Sequence, residues 1–336
     1  MKKNMKRNAI IIFIVTIIVM YFVLKDDFSS IVDIFFRLDI KYILIAFFFY
    51  FLSIFFKAYV SYKSVDEKEK YSLMEALKHN VITQFFNGIT PFSTGGQPME
   101  VYMLTKHGIN ANRGTMIILQ NFIFYQIALV LFGIMAVSYN YIFHIFPNNT
   151  VLKNLVLLGF IINTLVAVGI ILISVSHKFT RYCVHKIISF LSYFKIIKFK
   201  EEKCKKWDKR LDEFHECADS LRKRKMLLVE GIFFNILSLG CLYIIPLFIA
   251  YSMSDFMGLN IMNTLTSSAY VLLIGAFVPI PGASGGIEYG FVRFFGNFLS
   301  NSMTNAVLLI WRFITYYFGM IIGMIAFNLD ERGNQK

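Results

Sequence analysis

Apolar runs of bilayer-crossing length recur along the chain, separated by short polar stretches. They cover roughly 9–24, 40–60, 115–137, 152–175, 226–251 and 305–329. About 20 apolar residues in a helix cross a hydrocarbon core of about 30 Å, so the pattern predicts six full spans. Two further apolar regions, 72–105 and 262–299, are interrupted by Gly, Pro and polar residues. Their interruptions read PFSTGG at 91–96 and PGASGG at 281–286, and both fit Pro-x-small-small-Gly-Gly.

Irregular backbone at membrane depth is tolerated only where protein covers it or it lines a watery cavity, because each unsatisfied N–H or C=O costs several kcal/mol. The motif therefore predicts two broken, re-entrant hairpins. In each, Pro91 or Pro281 stops a helix. Gly95 and Gly96, or Gly282, Gly285 and Gly286, then turn the chain into a half-helix whose N-terminus is a ready anion site.

The two motifs sit alike. From each Pro to the next span is about 24 residues, and the preceding span starts about 51 and 55 residues upstream. The span before that starts about 82 residues before Pro91, and about 80 before Pro281 once 176–225 is removed. The expected fold class is thus an all-α polytopic membrane protein of six full spans plus two broken hairpins. It forms a single integral membrane domain, 1–336, with repeat halves 9–137 and 152–329 and a basic cytoplasmic insert at 176–225. Three spans per half is an odd number, so the repeat is expected to be of inverted topology, with the breaks meeting near the midplane.

Composition agrees with a membrane protein. The 336 residues are 57% hydrophobic and carry a net charge of +13, and the mean hydropathy is +0.59. The positive charge lies beside the apolar runs, which fits the positive-inside rule better than a nucleic-acid surface. Lys2, Lys3, Lys6 and Arg7 place the N-terminus in the cytoplasm, the loop 138–150 has no Lys or Arg, and 178–225 carries fifteen Lys/Arg against seven Asp/Glu. The first half of the insert mixes basic residues with Ile, Phe and Tyr, as an interfacial helix does, and its second half reads as a charged helix. It serves either as a topology anchor or as a partner-docking site. The N-terminal run lacks a small-x-small cleavage site and reads as an uncleaved helix.

Few residues carry chemistry. Arg312 lies inside the last run, and an intramembrane charge usually faces the bundle interior. It is expected to hold a lipid phosphate or to be structurally paired. Glu288 follows Gly286 by two residues and Glu100 follows Gly96 by four. Each could cap its half-helix or meet a cationic headgroup, and Arg293 and Gln97, nearby in sequence, are expected to bind the substrate with them. Gln120, Asn121 and Gln126 line a polar path or bond between helices. The chain has no phosphate-binding GxxxxGK[ST] loop, no hydrolase triad and no metal-ligand spacing among its six His and four Cys. No cofactor, metal or nucleic-acid partner is expected.

At TPFSTGGQPMEVYMLTKHGI, PIPGASGGIEYGF and LLIWRFITYYFGMIIG the chain resembles the flippase-like family. This comprises the transmembrane region of lysylphosphatidylglycerol synthase (the multiple peptide resistance factor) and its stand-alone relatives. The resemblance implies that Gly95 and Gly96 form the first Gly-Gly, that Pro281 to Gly286 with Glu288 form the second motif, and that Arg312 is the last-span arginine. It also implies movement of lysylphosphatidylglycerol, or a related phospholipid or glycolipid, across a bacterial plasma membrane, with resistance to cationic antimicrobial peptides. In full-length relatives a soluble domain makes that lipid; here Lys336 follows directly on the last span, so no aminoacyl transfer is expected. Many relatives carry an acidic residue after the first Gly-Gly and a Glu-Arg pair in the next span, where this chain has Gln97, and Gln120 with Asn121. The alternative is a membrane subunit or scaffold of a phosphatidylglycerol lysyltransferase or other lipid-modifying enzyme, serving a separate synthase.

Overall fold

The computed structural model describes residues 38–333, except 66–68, 70, 147–149, 254–257, 277 and most of 194–223. The span expected at 9–24 lies outside the described residues. Among the described residues all regular structure is helical. Five stretches are long and apolar enough to cross a bilayer: Ile40–Ser64, Ala111–Phe143, Val151–Gly169, Lys225–Tyr251 and Asn301–Asp330. They coincide with the apolar runs that begin at residue 40. The protein is an all-helical, multi-pass membrane protein.

Helix α1 (Ile40–Ser64) starts at Asp39, whose carboxylate accepts from Lys41 N at 2.9 Å. Next comes α2 (Leu73–Gly88), opened by a reciprocal cap in which Ser72 Oγ accepts from Glu75 N and Glu75 Oε2 accepts from Ser72 N. A turn at Pro91–Ser93 separates it from α3 (Gly96–Lys106), and α2 and α3 pack as a hairpin. Helix α4 (Ala111–Phe143) runs 33 residues, about 50 Å at 1.5 Å per residue, so it tilts or projects beyond the hydrocarbon core.

Helix α5 (Thr150–Val175) leads into α6 (His177–Tyr193). Helices α7 (Lys225–Tyr243) and α8 (Ile245–Tyr251) form one span in which Pro246, lacking an N–H, interrupts the hydrogen-bond ladder. A second hairpin follows: α9 (Ile261–Gly275), capped by Asn260, a turn at Pro281–Ala283, and α10 (Gly286–Phe295). The last span joins α11 (Asn301–Arg312), a π-helical segment Phe313–Tyr317, and α12 (Phe318–Gly333). The order span, broken hairpin, span therefore occurs twice.

The outer face is apolar: Leu44, Phe48, Leu165 and Ile325 are among the exposed large side chains. Such a girdle would be an aggregation hazard in water and suits lipid. Inside, Tyr50, Phe291, Phe295, Trp311 and Ile314 belong to one large core cluster, in which Phe291 stacks on both Phe295 and Trp311. Sparse polar bonds tie helices across this core, as is usual where lipid removes the hydrophobic drive between helices. Ser238 Oγ donates to Ser53 O at 2.8 Å, Ser268 Oγ to Tyr243 O at 2.8 Å, and Gln126 Nε2 to Asn163 O at 2.9 Å. Gln126 thus takes the interhelical role.

Helix α6 falls in the first half of the insert. It carries Lys178, Arg181 and Lys186 beside exposed Phe179, Tyr182, Ile187 and Phe190. Residues from the second half fold back on it: Arg181 bonds Asp212 at 2.6 Å and His185 bonds Asp208 at 2.9 Å.

Candidate functional site

The two chain breaks meet: the turn at Pro91–Ser93 packs against the turn at Pro281–Ala283. Their backbones begin alike. Thr90 (φ −120°, ψ 144°) and Ile280 (φ −94°, ψ 141°) are both extended, as a residue before proline prefers. Two consecutive left-handed residues follow in each, Phe92 (φ 53°) with Ser93 (φ 52°) and Gly282 (φ 65°) with Ala283 (φ 50°). Equivalent bonds close the turns, Ser93 N to Thr90 O at 3.2 Å and Ala283 N to Ile280 O at 2.8 Å. The paths diverge later, with φ −76° at Gly95 but 88° at Gly285.

Left-handed backbone costs an L-residue about 1–2 kcal/mol, so Phe92, Ser93 and Ala283 hold strain that the packing around them must impose. At Gly282 two constraints coincide. Its φ is positive, and a Cβ there would lie 2.5 Å from the Tyr316 ring.

Arg312 is buried, 3% exposed, against the second break, with Glu288 at 1%. Its Nε donates to Glu288 Oε1 at 2.8 Å, and Nη2 lies 2.5 Å from the same oxygen. Nη2 also donates to Gly282 O at 3.0 Å. The other Glu288 oxygen accepts from Gly285 N at 2.6 Å, so this carboxylate caps α10 and neutralises Arg312 at once. The guanidinium carbon sits 5.2 Å from the Tyr316 ring centre and 6.0 Å from that of Trp311. Tyr316 in turn donates to Gly88 O, at the end of α2, at 2.9 Å. One helical turn of the last span thereby grips both breaks. It does so where the helix widens into the π segment, a distortion common at functional sites.

The first break is held differently. Gly95 N donates to Thr90 Oγ1 and Gly96 N to Asn87 Oδ1, each at 2.8 Å. Both caps are neutral and come from upstream of the break. Gln97 is half-buried on the first turn of α3. Glu100 does not cap α3; its Oε1 instead accepts from Ser61 Oγ of α1 at 3.3 Å. The reason is rotational: it lies two residues further from its Gly-Gly than Glu288, and two residues turn a helix by about 200°. Arg293 is exposed on α10 and lies over the Tyr289 ring at 5.4 Å, away from the Arg312 pair.

Glu100 belongs to a second polar cluster. Ser61 Oγ also accepts from Asn80 Nδ2 at 3.3 Å and Asn121 Nδ2 at 3.4 Å, and Ser64 Oγ donates to Asn121 Oδ1 at 2.6 Å. Lys57 lies one turn away on α1, over the Tyr125 ring at 5.4 Å. Four elements, α1 to α4, contribute to it. Tyr316, Thr90, Asn87, Asn80, Ser61 and Lys57 were not singled out by sequence reasoning. Asn87 and Thr90 did carry a signal, since polar residues directly before a break are where caps are needed.

The exposed part of the junction is open backbone. Pro91 to Thr94 and Gly285 are exposed, and no atom lies within 4 Å of where a Cβ on Gly285 would sit.

The family described as the lysylphosphatidylglycerol synthase TM region matches residues 8–323. A "UPF0104 membrane protein" from Archaeoglobus fulgidus is 23% identical over 280 residues, covering 76% of each chain. The match takes in both broken hairpins and Arg312, and the chain belongs to the lysylphosphatidylglycerol synthase TM-region family.

Proposed function

We propose that this member of the family moves a lipid headgroup between leaflets, with lysylphosphatidylglycerol or a related phospholipid or glycolipid as cargo. The observation that carries the reading is the junction itself: two broken hairpins meet beside a buried arginine, with glycine backbone open alongside. A headgroup phosphate entering there finds Arg312 already oriented by Glu288. It can take over one guanidinium edge beside the exposed backbone at Gly285, while the acyl chains stay in lipid. Glu288 then retains its cap on α10, so binding need not unravel the half-helix. Gln97, on the first turn of the first half-helix, would meet the remainder of the headgroup, whereas Glu100 and Arg293 lie further along their half-helices and would act only before or after this point.

The repeated order of elements and the matching turn backbones support reading the halves 9–137 and 152–329 as inverted repeats around this junction, with 176–225 inserted between them. The charge bias supports an N-terminus in the cytoplasm, and the proposed location is a bacterial plasma membrane. Moving lysylphosphatidylglycerol outward would lower surface negative charge and so bear on resistance to cationic antimicrobial peptides. The protein acts on a finished lipid in this account, and a separate synthase would supply it.

The test is leaflet exchange in proteoliposomes of purified protein, using headgroup-labelled lysylphosphatidylglycerol, phosphatidylglycerol and a glycolipid, with an impermeant quencher reporting the outer leaflet. Exchange of one lipid, abolished by Arg312→Gln, is the expected result. An absence of exchange for every lipid by folded protein would remove this reading in favour of a scaffold for a lipid-modifying enzyme.

A further inference from the structure

Far from the junction, a cavity of about 410 Å³ opens where α1 ends and α7 begins. Among the described residues that line it, four are charged, two of each sign: Lys63 and Arg224, Glu69 and Glu230. Glu69 Oε1 pairs with Arg113 at 2.9 Å, yet Glu69 Oε2 is buried with no hydrogen-bond partner. A buried carboxylate oxygen without a donor is costly and calls for one. Lys63 lies over the Tyr59 ring at 5.8 Å. Among the described residues, Lys63, Arg224 and Glu230 enter no ion pair. On one side the rim is greasy: Met226, also in the lining, is 70% exposed, and Val229 on the same helix is 61% exposed.

A simple anion in this cavity would meet two carboxylates, and a simple cation would meet a lysine and an arginine. A ligand carrying both charges a few ångströms apart satisfies all four, and the apolar rim admits acyl chains from the side. We infer that this cavity binds the headgroup of a zwitterionic phospholipid, with its phosphate on Lys63 and Arg224 and its ammonium on the acidic side formed by Glu69 and Glu230. The inference rests on the lipid-transport reading and gives it a loading site.

The position suits that role. Thirteen residues of α1 separate Lys63 from Tyr50, about 20 Å along the helix. Tyr50 donates to Gln84, about two turns before the first break, at 3.0 Å. Between these levels α1 carries Ser61 and Lys57, both of the second polar cluster. Polar groups therefore continue from the cavity towards the junction, as a headgroup leaving one for the other requires.

The experiment is calorimetric titration of the full chain in detergent with three probes. These are dihexanoylphosphatidylethanolamine, dihexanoylphosphatidylglycerol and free phosphoethanolamine. The zwitterionic lipid is expected to bind at least about fivefold tighter than the anionic one, the size of a charge-assisted contact. Glu230→Gln and Glu69→Gln should each erase that preference, and Lys63→Gln with Arg224→Gln should weaken both lipids about tenfold. Equal binding of the two lipids by wild type, or a preference that survives both Glu variants, overturns the inference. Free phosphoethanolamine binding as tightly as the lipid overturns it in favour of a soluble ligand. Failure here while proteoliposomes still exchange lipid removes the loading site alone. Normal binding here, with no exchange of any lipid, removes the transport reading alone.

Discussion

At the first break, neutral side chains from just upstream of the turn hold the amides that open α3: Thr90 on Gly95 and Asn87 on Gly96. At the second, a buried carboxylate from within α10 holds the amide of Gly285 and is itself neutralised by Arg312. The turns before these caps have nearly the same backbone, so the difference lies in how each half-helix is terminated. A neutral cap needs no counter-charge and can sit near an open surface. An anionic cap in a dry interior needs a cation, and Arg312 supplies it from the last span. The first break is therefore a local structure, whereas the second depends on a helix that arrives some twenty residues later in the chain. Tyr316 joins the two by reaching from that helix to Gly88.

This contrast can be broken where it is strongest. Arg312→Ala leaves Glu288 buried without its cation and is expected to cost about 3–5 kcal/mol. Unfolding in detergent would measure it, alongside a Glu288→Gln, Arg312→Gln double variant that should recover most of the loss. The next effect in size concerns the matching turn positions. Gly282→Ala meets both a positive φ and the Tyr316 ring and should cost about 2–3 kcal/mol. Phe92→Gly at the equivalent position relieves strain while loosening the unfolded chain, and should stay within about 1 kcal/mol of wild type. Equal costs for the two would mean that the turns are not held as described. Asn87→Ala removes one neutral cap and should cost about 1 kcal/mol, with little dependence on salt. Tyr316→Phe is the mildest change, at most about 1 kcal/mol, but it unties the breaks from each other. Faster hydrogen exchange at the first break would report that, even though the residue lies beside the second.

Much of this architecture was legible in the chain because its signals are local. The apolar runs give the spans, and Pro-x-small-small-Gly-Gly gives both breaks. A glutamate two residues past Gly286 gives the cap on α10. Glu100 looked equivalent but sits on another helix face, and simple helical rotation accounts for its place beside Ser61 instead. Tyr316 was invisible because a tyrosine in an aromatic-rich span carries no mark until the opposite hairpin is placed against it. Of the cluster of Ser61, Asn80 and Asn121 only Asn121 stood out in sequence, since the members lie on three helices and Ser61 and Asn80 carry no mark of their own. The cavity at Lys63 and Glu230 needs α1 and α7, which are far apart in sequence, to be adjacent.

The most direct test of the central claim uses the charge-neutral pair. Glu288→Gln with Arg312→Gln keeps the junction uncharged and hydrogen-bonded, so the protein should fold. Exchange of headgroup-labelled lysylphosphatidylglycerol in proteoliposomes would then be compared with wild type. The account predicts folded protein, confirmed by its unfolding transition, with exchange reduced to the rate of protein-free vesicles. A folded double variant that exchanges the lipid at the wild-type rate would contradict it, because the headgroup would then cross without the arginine at the meeting point of the two breaks.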